Sequence, residues 1–281
     1  MMRLDLFAIL FAGVLLFHNS TSCRADCQSG VVAYNSGDYG TAFKELAPLS
    51  ASGNASAQCT LGMMYYRGNG VPQDHAAAFQ WYEKAAEQGD APAQYNLGAL
   101  YYRGHGHSRD YQEAVKWFRK AAEQGDADAQ CNLGKMYDEG NGMPEDDTEA
   151  VKWYLKAAEQ GDSDAQCNLA GMYSRGEGVP RDYKEALKWY LKAAERGLAE
   201  AQYSLGCMYD SGKGVPRDSV RAYLWYDLAS DSVDGNARNA RNMLMKKMSP
   251  SQIAEARLFS QAWGLKSEHE TLKRCKKGEW I

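Results

Sequence analysis

From Ala55 onward, apolar and polar residues recur in a fixed order every 36 residues, in five gapless segments starting at Ala55, Ala91, Ala127, Ser163 and Ala199. Each segment opens on Ala-Gln, at Ala57-Gln58, Ala93-Gln94, Ala129-Gln130, Ala165-Gln166 and Ala201-Gln202. A leucine follows at Leu61, Leu97, Leu133, Leu169 and Leu205, then a tyrosine at Tyr65, Tyr101, Tyr137, Tyr173 and Tyr209. Alanine, leucine and tyrosine stand four residues apart, which predicts one apolar stripe along a first helix. That helix is predicted to stop at Gly68, Gly104, Gly140, Gly176 and Gly212, because glycine accepts the left-handed backbone of a helix end.

A second helix is predicted from Asp74, Asp110, Asp146, Asp182 and Asp218, whose carboxylates can accept from the free amides of a first turn. Glu113, Glu149 and Glu185 lie three residues on and predict a capping box. This helix is expected to bury Trp81, Trp117, Trp153, Trp189 and Trp225, each followed by tyrosine or phenylalanine. It ends at Gly89, Gly125, Gly161 and Gly197, after which Asp90, Asp126 and Asp162 cap the next first helix. Glycine inside a helix is costly, so Gly62, Gly98, Gly134 and Gly206 predict a close approach by the neighbouring helix. Ala170 takes that place in the fourth segment. All these cues agree on helix-turn-helix units stacked side by side.

The string AQYNLGALYYRGHGHSRDYQEAVKWFRKAAEQGD, from Ala93 to Asp126, closely resembles the Sel1-like repeat, a relative of the tetratricopeptide repeat. The resemblance implies an all-α fold, a right-handed superhelical solenoid of helix-turn-helix repeats, with five repeats over residues 55–234. Residues 26–54 are expected to form a degenerate N-terminal capping repeat, since Ala33 to Asn54 resembles the opening repeat of exported bacterial members. Residues 235–264 are expected to form C-terminal capping helices. Met248 to Trp263 resembles the closing helix of that group, with Ser249 or Ser251 as its cap. Residues 265–281 read as a basic, flexible tail, solvated rather than bound to an acidic surface, with Lys273, Arg274, Lys276 and Lys277 among its charges.

Residues 1–25 read as a signal peptide: Arg3, an apolar run of twelve residues from Leu6 to Phe17, then small and polar residues up to Ala25. Cleavage is placed after Ala25, with Ser22 as the alternative. Cys23 lacks the leucine three residues earlier that a lipidated cysteine usually has. No later stretch is apolar enough to span a membrane, and the net charge of −4 argues against a general nucleic-acid binder. Removing Cys23 leaves Cys27, Cys59, Cys131, Cys167, Cys207 and Cys275, whose pairing is open. In cysteine-rich relatives, a cysteine near the position of Cys59, Cys131 and Cys167 pairs with one late in the second helix. Here Ala85, Ala157 and Ala193 stand in that place, so the ladder does not carry over. These three are expected as small buried residues, leaving Cys27, Cys207 and Cys275 as candidates for an isolated bridge.

The repeated aromatics, Trp81, Trp117, Trp153, Trp189 and Trp225 with Tyr65, Tyr101, Tyr137, Tyr173 and Tyr209, are expected as structural core. The Gly-x-Gly turns lack the lysine and register of a phosphate loop. His105 and His107 with Asp110 have the residue types of a weak metal site, but Asp110 is needed as a cap; no metal or cofactor is expected. In related superhelices the first helix lines the concave surface. There the repeats place Asn96, Leu100 and Arg103, then Asn132, Lys135 and Glu139, then Asn168, Met172 and Arg175. Side-chain amides in a row can bond a peptide backbone and arginines a carboxylate. The asparagines can equally be family residues that fix a helix contact.

The function expected is that of an exported protein-binding scaffold, a monomer holding a protein or peptide partner in the periplasm or outside the cell. The endoplasmic reticulum lumen is the alternative compartment, where Asn54-Ala55-Ser56 would be a glycan acceptor. Two alternatives differ in class. Some cysteine-rich relatives are described as binding or hydrolysing β-lactams, but the chain has no Ser-x-x-Lys and no His-Glu-x-x-His, and no enzymatic activity is expected. A self-assembling structural role through repeat ends is the other.

Overall fold

Aspartate side chains start the second helix of every repeat. Asp74 accepts from the amides of Ala76 and Ala77 at 2.9 and 3.0 Å, and Asp110, Asp182 and Asp218 do the same for their helices. Asn54, Asp90, Asp126 and Asp162 accept from the amide three residues on and start the first helix of four repeats. Leu198 opens the fifth in the same extended conformation, φ −68° and ψ 110°, without a side-chain cap; it packs on the core instead. The predicted capping boxes are not formed. The Asp110 amide already donates to the Tyr101 carbonyl at 3.0 Å, and the Glu113 carboxylate turns to Lys116 Nζ at 2.5 Å. The amides of Asp74, Asp182 and Asp218 donate likewise to the carbonyls of Tyr65, Tyr173 and Tyr209, so in four of the five repeats the stripe tyrosine's carbonyl locks the turn to the next helix.

The computed structural model describes residues 27–231 and 235–277, with side chains for 27–230 and 235–263. The leader, Cys23, the Cys275 side chain and the basic side chains of the C-terminal tail lie outside the described residues. The chain divides after Glu145 into two compact units. The first holds α1 (27–35), α2 (Tyr39–Ala51), α3 (Ala55–Arg67), α4 (His75–Glu87), α5 (Ala91–Arg103), α6 (Tyr111–Glu123) and α7 (Ala127–Glu139). From α2 to α7, each helix packs on the next. The second holds α8 (Asp147–Gln160), α9 (Ser163–Arg175), α10 (Tyr183–Glu195), α11 (Ala199–Ser211), α12 (Ser219–Leu228), a 3-10 turn (Ala229–Asp231), α13 (Asn236–Met245) and α14 (Pro250–Lys277). Here too each helix from α8 to α11 packs on the next, and α12 carries both α13 and α14. Every described element is a helix, which makes the fold an all-α helical repeat. Ser249 starts α14 with a reciprocal box, its amide donating to Gln252 Oε1 at 2.9 Å and its hydroxyl accepting from the Gln252 amide at 3.3 Å. The helix then continues to Lys277, through most of the segment predicted as a flexible tail.

The core departs from the four-residue stripe in a way helix geometry explains. At 3.6 residues per turn, each step of four drifts by about 40°, so after two steps the tyrosine sits at the rim. Tyr65, Tyr137 and Tyr173 are half-buried, and only Tyr101 and Tyr209 reach 9% exposure. The residue one position earlier closes the stripe: Met64, Leu100, Met136 and Met172 are 0–2% exposed. The tryptophans need a matching correction. Trp153 and Trp225 are buried, but Trp81, Trp117 and Trp189 are half-buried. The aromatic that follows is the core residue, with Tyr82, Phe118, Tyr154 and Tyr226 at 1–3% exposure. A lysine ammonium covers the open indole face one turn on: Lys84 over Trp81, Lys120 over Trp117, Lys156 over Trp153 and Lys192 over Trp189, at 3.7–4.4 Å. Gly98 makes this packing possible, since a Cβ there would lie 2.9 Å from the Phe118 ring.

Five buried glutamines stitch consecutive repeats together. The Nε2 of Gln58, Gln94, Gln130, Gln166 and Gln202 donates to the carbonyl eight residues earlier, at 2.9–3.2 Å. Each bond ties a first helix to the end of the preceding second helix and satisfies a helix-terminal carbonyl.

Candidate functional site

The first helices of repeats one and two, α3 and α5, end on the same tripeptide, Tyr65-Tyr66-Arg67 and Tyr101-Tyr102-Arg103. Between them the first unit opens a pocket lined by Met63, Tyr66, Arg67, Tyr82, Tyr95, Asn96, Ala99, Leu100 and Arg103. Leu100, 2% exposed, and Tyr82 form its floor; the two guanidinium groups stand at its exposed edge. Arg103 donates to the Tyr66 hydroxyl at 3.1 Å, and Arg67 to the Tyr34 hydroxyl at 3.4 Å. His105 Nδ1 lies 3.4 Å from the same Tyr66 hydroxyl.

Beneath Asn96, the side chains of Cys59 and Asp90 form a small polar cluster. Burial and then the Asp90 charge push the Cys59 thiol well above its ordinary range. The thiol donates to the Asp90 carboxylate, and Asn96 also bonds the sulfur. Burial raises the Asp90 carboxyl as well, against the bonds it accepts from the Ala93 amide and the thiol. Cys167, in the second unit, is pushed up to about 12 by burial and nearby acids. A thiol held protonated at neutral pH is a packing group rather than a nucleophile. Cys131 is buried too, which agrees with the packing role expected of all three.

Of the residues predicted for the binding face, the first unit brings Asn96, Leu100 and Arg103 into this pocket. Asn132 instead donates to the Asp128 carbonyl of its own helix at 2.8 Å, and Lys135 pairs with Glu139 at 3.6 Å. In the second unit Asn168 is half-buried, and Arg175 pairs with Glu177 at 2.5 Å. Met172 is fully buried and does not face a partner: three residues after Leu169, it lies on the same side of the helix. Met63, Tyr66, Arg67, Tyr82 and Tyr95 were not predicted for the site. The repeated Tyr-Tyr-Arg ending of α3 and α5 is the signal in the sequence that points to them.

The histidines of the second turn do not converge. His105 stacks on His75 with ring centres 5.0 Å apart, and His107 stacks on Phe79 at the same distance. Gly106, between them, has φ +75° and rests on the His75 carbonyl, 2.1 Å from where a Cβ would be. Among the described residues, no three His, Cys, Asp or Glu side chains group as metal ligands.

Five consecutive copies of the Sel1 repeat match residues 55–90, 91–126, 127–162, 163–198 and 199–234. The chain belongs to the Sel1 repeat family. Sel1 repeats generally mediate protein interactions. Among solved structures the chain is similar to a Sel1 repeat protein from Oxalobacter formigenes, with 39% identity over 79% of this chain and 85% of that one, and a TM-score of 0.70. It is also similar to c5321, a protective antigen of uropathogenic Escherichia coli strains with an SLR fold, at 31% identity, 84% and 66% coverage, and TM-score 0.43. Similarity to Pseudomonas aeruginosa pilF, at 15% identity, 82% and 99% coverage and TM-score 0.60, concerns the fold alone. Comparison with curated proteins gives no match.

Proposed function

We propose that this Sel1 repeat protein is an exported, monomeric scaffold that holds a protein or peptide partner on its first-helix face and performs no chemistry of its own. The observation that carries the proposal is the pocket between α3 and α5. It combines an apolar floor, three tyrosines, a side-chain amide and two exposed guanidinium groups, the mixture that anchors peptide side chains and backbone. Export to the periplasm or beyond rests on the apolar leader from Leu6 to Phe17.

The test is comparative capture from periplasmic and secreted extracts on the chain from Asp26 onward, with and without Arg103→Glu and Tyr66→Ala. Both side chains are at least partly exposed, so the fold survives their loss. A specific protein held by the parent and released by the variants supports the scaffold and its pocket. One held equally by all keeps the scaffold and moves the site. Retention of nothing specific refutes the scaffold.

A further inference from the structure

Resting on that reading, we infer that the α3–α5 pocket anchors a carboxylate of an extended peptide, with an apolar or aromatic side chain of the same peptide seated beside it. Arg67 and Arg103 occupy one repeat position in adjacent first helices and line one pocket. Among the described residues neither forms an ion pair; each is steadied by one tyrosine hydroxyl, at 3.4 and 3.1 Å. A guanidinium carries five N–H donors, and each of these bonds uses one of them. In a chain of net charge −4, this is a local concentration of positive charge. Asp90, the acid adjoining Asn96 and Cys59, is occupied by the Ala93 amide and the Cys59 thiol.

The cationic character is confined to this end of the unit. At the equivalent position of the third repeat stands Glu139, which pairs with Lys135 and accepts from Asn141 at 2.6 Å. An anion is therefore favoured between Arg67 and Arg103 and meets no matching guanidinium one repeat further on, which sets where the carboxylate sits along the face. Tyr66, Tyr95 and Met63 form the walls and Leu100 the floor, surfaces suited to an apolar or aromatic side chain. Asn96 adds a side-chain amide to the same lining.

The probes are N-acetylated hexapeptides in two matched pairs. One pair ends in phenylalanine, as free acid or as amide. The other has an amidated end and an internal Phe-Glu or Phe-Gln. Each is titrated into the isotope-labelled chain from Asp26 to Ile281, following the arginine side-chain N–H signals. At least one acid-bearing probe is expected to move the Arg67 and Arg103 signals and to bind about tenfold tighter than its neutral twin. Arg103→Gln is expected to remove that difference, and Arg103→Lys to restore part of it, since charge returns without the planar fork. The pair that shows the preference tells a terminal carboxylate from an acidic side chain. Equal binding of acid and neutral twins overturns the carboxylate anchor and leaves the scaffold standing. No movement by any probe also overturns it, and the scaffold is then judged by the capture experiment alone.

Discussion

Gln88 Nε2 donates to Gln58 Oε1 across 2.7 Å, and Gln124 does the same to Gln94. Gln58 in turn donates to the Ser50 carbonyl and Gln94 to the Ala86 carbonyl, so each buried amide gives to the preceding repeat and receives within its own. The second unit breaks the pattern. Arg196 stands where Gln88 and Gln124 stand, in nearly the same backbone conformation, and its guanidinium lies against Gly161. Gln166 Oε1 is consequently buried without a partner. A buried acceptor left unpaired costs about 1–3 kcal/mol. Arg196→Gln is therefore expected to stabilise the chain by about 1 kcal/mol, read as a higher urea midpoint. An unchanged or lower midpoint would show that the acceptor carries no such cost.

Two helical glycines give opposite predictions. At Gly98 an added methyl meets the Phe118 ring at 2.9 Å, and Phe118 is 1% exposed with nowhere to move. Gly98→Ala should destabilise by about 1–3 kcal/mol despite the better helix propensity of alanine. At Gly171 the methyl meets only the tip of the Arg175 side chain, which can swing away. Ala99 already fills the equivalent place in repeat two. Gly171→Ala should stabilise by up to about 1 kcal/mol. Thermal unfolding of the pair decides it, and a same-direction shift would contradict the packing at one of the two sites.

The aromatic pair of the second helix makes a sharper test. Phe118→Ala empties a fully packed position and should cost about 3–5 kcal/mol. Trp117 has one face on the core and the other beneath Lys120, so Trp117→Ala should cost roughly half as much, although more atoms are removed. Urea unfolding of both variants checks the order. The reverse order would return the tryptophan to the centre of the core.

The elements were legible because each boundary is a local chemical event. Asp110 or Asp182 caps a second helix, Gly104 turns left-handed at the end of a first helix, and the 36-residue spacing repeats the pattern five times. What faces a partner was less legible. Met172 looked available because a step of four drifts around the helix, and only the structure shows the stripe closing through the residue three past the leucine, whereas the equivalent Leu100, as deeply placed, floors a pocket. The capping boxes of Glu113 and Glu185 failed for a non-local reason: the amides they would bond are already given to Tyr101 and Tyr173 in the previous helix. The pocket itself depends on α3 and α5 lying next to each other, which no single segment reveals.

Burial raises the carboxyl groups of both Asp90 and Asp126, although each accepts a backbone amide as a helix cap. An acid whose folded value lies above its unfolded one binds more protons in the folded state. Its charged form therefore costs stability above the folded value, and that cost disappears as pH falls through it. Asparagine keeps the cap without the charge, as Asn54 does when it accepts from the Ala57 amide at 2.9 Å. Asp90→Asn should therefore match or exceed the parent at pH 7 by up to about 1 kcal/mol. The difference should shrink toward zero or reverse as pH falls through the folded value of the parent aspartate. Urea unfolding at pH 7, 5.5 and 4 measures it. A variant less stable at pH 7 and relatively better at pH 4 would mean that the Asp90 charge is stabilised in place, by the α5 amides or the Cys59 thiol, rather than penalised by burial.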